Sequence, residues 1–109
     1  MGVVRSAQVD WRSAATAGVA VKRLRDDKTS GASTFLLRVD AGARVPLHDH
    51  PGGEELFVLE GDLKVGGDHL TSGDYLYTPP DGKHSASSEG GCVVLVTIPK
   101  PVRFVEPHG

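Results

Sequence analysis

The chain has 109 residues, 39% of them hydrophobic, which is enough to bury one core and leaves no room for a second, catalytic domain, so one domain over residues 1–109 is expected. A formal net charge of -2 argues against a nucleic-acid surface or an anionic-membrane surface, both of which need a basic excess. One cysteine, Cys92, excludes an internal disulfide framework, and no apolar stretch reaches the length of a signal-peptide core or a membrane span, so a cytoplasmic location is the default expectation.

Read from its start, the chain opens on Met1 to Ser6, which formally matches a myristoylation pattern too short to carry weight. Short β-rich runs then alternate with glycine and proline turns, and no helical period lasts long enough to build a bundle. The predicted strands are Val19 to Leu24, Thr34 to Asp40, Glu55 to Glu60, Asp62 to Val65, His69 to Thr71, Tyr75 to Thr78 and Val93 to Ile98. Asp26 to Ser33 is polar and small, and reads as a loop between two strands. The basic run Lys22-Arg23-Leu24-Arg25 is answered at once by Asp26-Asp27, which makes it a solvated strand end. Cys92 heads the run Cys92 to Ile98 and reads as a small buried core residue. The pattern is that of an all-β barrel or jelly roll.

The segment that carries chemistry is Gly42 to Gly61. His48 and His50 stand two apart in strand-like sequence, so both imidazoles can face one point while Asp49 faces the other way. Pro51-Gly52-Gly53 has the residues of a tight turn, which lets Glu54 or Glu55 approach the same point. A further histidine, His84, follows the short aromatic strand and the Pro79-Pro80-Asp81-Gly82 turn.

These two segments resemble the two motifs of the cupin superfamily, whose fold is a double-stranded β-helix, or jelly-roll barrel. The first motif fits at every position, with Gly42, five residues, His48-Asp49-His50, three residues, Glu54, six residues and Gly61. The second has Gly73, Pro79 and His84 at the expected offsets, but Gly82 is displaced by one residue and Ser88 stands where the motif has Asn. The phrases Leu36 to Gly42, His50 to Glu55, Val58 to Gly61, Pro79 to His84 and Glu89 to Cys92 look most like the cupin domain of ChrR-type anti-sigma factors and the small dioxygenases grouped with them. Such anti-sigma factors also carry a helical segment that grips the sigma factor, and no stretch before this cupin-like region would supply one, so only the sensor-like half is expected.

The resemblance implies that His48, His50, Glu54 and His84 converge inside the barrel on one divalent transition metal. Three imidazoles and a carboxylate suit Fe(II), Mn(II), Ni(II) or Zn(II); an octahedral ion would keep two positions free, whereas tetrahedral zinc would close the site. Glu54 is preferred over Glu55 because it alone also satisfies the step to Gly61. His69 at a hairpin and His108 near the C-terminus are expected to be exposed. Tyr75 and Tyr77 share a strand face and, with Arg38, either line the pocket or pack in the barrel.

Two functions follow as expectations: a metal-binding cupin that senses or binds a small molecule, or an Fe(II) dioxygenase acting on a small diketone, thiol or aromatic hydroxyketone. A metal-free epimerase would not need the full ligand set. No residue stands out as a separate general base. Pairing of two copies through sheet edges is implied by the resemblance.

Overall fold

The computed structural model describes residues 1–104. Ten strands are found among them: β1 (Arg12–Ser13), β2 (Val19–Asp26), β3 (Ser33–Val39), β4 (Arg44–His50), β5 (Glu54–Val65), β6 (Asp68–Thr71), β7 (Tyr75–Thr78), β8 (Gly82–Ser87), β9 (Cys92–Ile98) and β10 (Arg103–Phe104). All pairings are antiparallel, and the order β1-β2-β3-β9-β5-β8-β4-β10 curls on itself, with β6 and β7 both on β5. This is the all-β jelly-roll architecture that the sequence pattern implies. No described helix is long and apolar enough to cross a membrane.

The two stretches of β5 expected as separate strands are one strand with a corner in it. Up to Gly61 it pairs with β9, and from Asp62 onward it pairs with β6 and then also with β8. A register shift between Val58 and Glu60 and the positive φ of 85° at Gly61 turn the chain there. A Cβ at Gly61 would collide with the carbonyl oxygen of Gly91, so the corner needs both the conformation and the close approach that glycine permits.

The core lies between the two layers. Val39, Leu56, Val58, Leu63, Val94 and Val96 form its most buried part, each reached by the two-residue alternation of its strand. Cys92 is buried among them, as expected. Lys22 departs from expectation, because the N-terminal segment crosses the outer face of β2 and β3 and covers it. Its ammonium donates to the Ser6 carbonyl at 2.8 Å and lies 4.9 Å from the Trp11 ring, and the Arg38 guanidinium lies 4.7 Å from the same ring. Arg23 and Arg25 are exposed, as a solvated strand end requires.

Replacing Gly61 with Ala should destabilise the fold by more than the about 1–3 kcal/mol that an unfavourable φ alone costs. Urea unfolding checks this, and a variant as stable as the wild type would show that the corner tolerates a side chain.

Candidate metal centre

Three elements build the cluster. On β4, His48 and His50 point inward from alternate positions, and β8 sets His84 directly opposite His48 in the ladder. The turn after β4 is closed by the Gly53 N–H donating to the His50 carbonyl at 2.9 Å, which starts β5 with Glu54 facing the same space. The ring centroids of the three histidines lie 4.4 to 5.0 Å apart. One potential ligand atom from each of His48, His50, Glu54 and His84 lies within 4.8 Å of the others. Opposite ligands of one ion at about 2.1 Å stand about 4.2 Å apart, so the cluster would close on an ion with a shift of well under ~1 Å.

The hydrogen bonds orient the rings. His48 Nδ1 lies 2.8 Å from the Pro46 carbonyl and His50 Nδ1 lies 3.0 Å from the Gly82 carbonyl. A carbonyl only accepts, so in the neutral rings Nδ1 carries the proton and Nε2 presents a lone pair to the cluster. His50 Nε2 is 3.1 Å from Glu54 Oε2, and His84 Nε2 is 3.5 Å from Glu54 Oε1. The first of these contacts lacks hydrogen-bond alignment, and His50 Nε2 and Glu54 Oε1 are buried without a hydrogen-bond partner. Buried polar atoms are rarely left so, and a cation between them is the arrangement that satisfies both.

Gly82 earns its displaced position in the second motif. Its carbonyl holds His50, and a Cβ there would strike the Thr78 side chain. The left-handed conformation falls one residue earlier, on Asp81 at φ 66°, a residue type that tolerates it. Ser88, in place of Asn, is buried and donates its hydroxyl to the Asp62 carbonyl at 2.6 Å, tying the end of β8 to β5. The two orienting carbonyls leave no mark in the sequence, since any residue supplies one.

Of the carboxylates that compete for the site, the structure brings in Glu54. Glu55 points outward and accepts from the Tyr75 hydroxyl at 2.7 Å. Tyr75 and Tyr77 therefore neither line the cavity nor pack inside the barrel: they are 55% and 56% exposed on the outer face, because their partners in the ladder, Phe57 and Glu55, have outward parity. Arg38 is likewise outside, against Trp11 and 3.8 Å from Asp40. His69 is exposed on its hairpin, and His108 lies outside the described residues. Behind the cluster the two layers leave a cavity of about 530 Å³, walled mostly by aliphatic side chains, on which His48, Glu54 and His84 open.

A jelly-roll barrel with a buried three-histidine, one-carboxylate cluster at the end of an internal cavity defines a cupin. The chain belongs to the family of ChrR cupin-like domains, whose profile matches residues 1–100. No curated protein sequence matches it significantly. Among solved structures, a protein from Methylibium petroleiphilum PM1 described as a candidate acetylacetone dioxygenase is 27% identical with a TM-score of 0.89, over 98% of this chain and 82% of that one. The complex of SigE with the anti-sigma ChrR from Rhodobacter sphaeroides matches at 28% identity and a TM-score of 0.74, over 86% of this chain and 51% of the other. An acetylacetone dioxygenase from Acinetobacter johnsonii shares the fold at 16% identity, with a TM-score of 0.82 over 97% of this chain and 77% of that one.

Without a metal, the cluster is divided in its response to protons. Burial pushes His84 down from 6.5 to about 4 and also lowers His48. Burial acts on His50 in the same sense, but the adjoining Glu54 carboxylate outweighs it and holds the His50 pKa above its ordinary value. The unfolded chain thus takes up the His84 proton first as pH falls, and the stability contributed by neutral His84 is intact above 6.5 and lost on the way to about 4. His50 has the opposite sign: its protonated form favours the fold below 6.5, and that contribution disappears as pH rises through its folded value. Urea unfolding of metal-free protein should show His84 removing about 3 kcal/mol between those limits. His84→Gln should flatten that part of the profile, and an unchanged profile would contradict the assignment.

Proposed function

We propose that His48, His50, Glu54 and His84 bind one divalent transition-metal ion, and that the centre receives a small molecule through the adjoining cavity. The observation that carries this reading is the buried confrontation of His50 Nε2 with the Glu54 carboxylate at 3.1 Å, where His50 Nε2 and the other carboxylate oxygen, Glu54 Oε1, have no hydrogen-bond partner. The donor set accepts Fe(II), Mn(II), Ni(II) or Zn(II). Bound there, an ion that takes six ligands would supply a Lewis acid with positions left for the oxygens of a ligand, which tetrahedral zinc would not.

The chain's own groups do the rest. Pro46 and Gly82 fix the tautomers of His48 and His50 through their carbonyls, and Glu54 contributes the one negative charge among the four side chains. With a divalent ion this leaves one positive charge in a wall of low polarity, which favours a ligand that binds as a monoanion through two oxygens, such as the enolate of a diketone or a hydroxyketone. The aliphatic wall excludes water from the bound molecule.

A second reading, a mononuclear Fe(II) dioxygenase for such a ligand, is supported by the 27% identity to the Methylibium protein over 98% of this chain and 82% of that one. The first reading, binding or sensing without turnover, is supported by the likeness to the ChrR-containing complex. In either reading the chain pairs with a second copy, for which the outward Phe57, Leu59, Tyr75 and Tyr77 offer apolar surface.

Elemental analysis of protein purified without added metal or chelator should find about one transition-metal ion per chain. His48→Ala and His84→Ala should each lose more affinity than the about 10–100-fold that removing an outer orienting partner costs. Glu55→Gln should retain the metal. Equal metal content in all variants would refute the site. Oxygen uptake that depends on both Fe(II) and a diketone identifies a dioxygenase, and its absence at full iron loading identifies a binding protein.

A further inference from the structure

The cavity is larger than a small chelator needs. At about 30 Å³ per water-sized group, 530 Å³ takes about 18 of them, and a diketone as short as acetylacetone fills less than about half. Protein interiors are packed to crystal density, with few voids larger than a water, so an apolar space of this size is shaped for an occupant. Its wall includes Val21, Phe35, Leu37, Val45, Leu56 and Val96. The first four are only partly buried although they face inward, because the cavity leaves them without neighbours on that side.

The wall is also electrically neutral away from the metal cluster. Among the described residues its one cation is Arg23, with Nη1 3.4 Å from Asp26 Oδ1 and 3.1 Å from Ser33 Oγ and the guanidinium 5.7 Å from the Phe35 ring. Ser33 in turn donates to Asp26 at 2.9 Å. Asp26 pairs with Ser33 and Ser33 with Ile98, and the β9–β5 register continues that row to Glu54. Three strand spacings of about 4.8 Å place Asp26 at most about 14 Å from Glu54. This polar group stands at the rim, across the cavity from the cluster.

Resting on the metal-binding reading above, we infer that the ligand is an oxygen chelator with an uncharged apolar tail, and that the tail lies along the aliphatic wall as far as the Arg23, Asp26 and Ser33 group. The polar group marks the length limit, since a longer tail must displace a satisfied ion pair or leave the cavity.

The test is a calorimetric affinity series, run anaerobically on metal-loaded protein, with β-diketones in which one methyl end is lengthened stepwise into a straight alkyl chain. Affinity should rise about fourfold per methylene and then level off when the chain reaches the rim. Val21→Phe, which narrows the wall, should bring the levelling to a shorter chain. Affinity independent of chain length in protein that holds its metal overturns the tail assignment, as does a carboxylate-ended chain that binds as well as its methyl-ended counterpart. Should the protein hold no metal, the metal reading is what fails. Methyl ketones of the same lengths then decide the tail: affinity that grows with length upholds it, and flat affinity overturns it.

Discussion

A buried imidazole nitrogen and a buried carboxylate at 3.1 Å, both acceptors when the ring is neutral, cannot rest together unless a proton or a cation lies between them. The rest of the site is arranged to hold that confrontation in place. The Gly82 carbonyl takes the other ring nitrogen of His50 and so denies it the tautomer that would relieve the contact. The turn at residues 51–53 returns the chain within one hydrogen bond of His50, which leaves Glu54 no freedom to withdraw. The β4–β8 ladder then adds His84 opposite His48. Glu54 beside His50 also raises the His50 pKa against the effect of burial, whereas burial lowers those of His48 and His84.

Short side chains keep the space beside the cluster open. Val21, Val45, Ala86 and Val96 are short for positions between two layers of sheet, and larger side chains there would close the cavity. At the corner of β5, the Asp62 carboxylate accepts from the Glu89 and Gly90 N–H groups at 3.0 and 2.8 Å and ties the loop before β9 to that strand. Those amides also hold the Asp62 carboxyl below its usual pKa.

Much of this was legible in the sequence, and the exceptions have particular causes. Strand parity placed His48 with His50, and motif spacing chose Glu54 over Glu55, a choice the structure makes through the same alternation. Parity alone could not say which face of β7 is inside, and Tyr75 and Tyr77 turned out to face solvent. Strand β8 was not anticipated because Gly82, Lys83, His84 and Ser85 are weak strand formers, held extended by a partner more than thirty residues away in β4. β1 is two residues long and exists only as the edge partner of β2. The position of the left-handed residue in the second motif moved from glycine to Asp81, a substitution that spacing registers as a mismatch and backbone geometry registers as none.

The N-terminal segment has a mechanical consequence. Ala14, Ala15 and Thr16 form part of the cavity wall, and they follow directly on β1, which is anchored by its short ladder to β2 and by the contacts of Trp11 with Lys22 and Arg38. One side of the cavity is therefore a strap buckled on the outside of the barrel. The wall at Ala14, Ala15 and Thr16 thus depends on contacts made outside the barrel, where Trp11 meets Lys22 and Arg38.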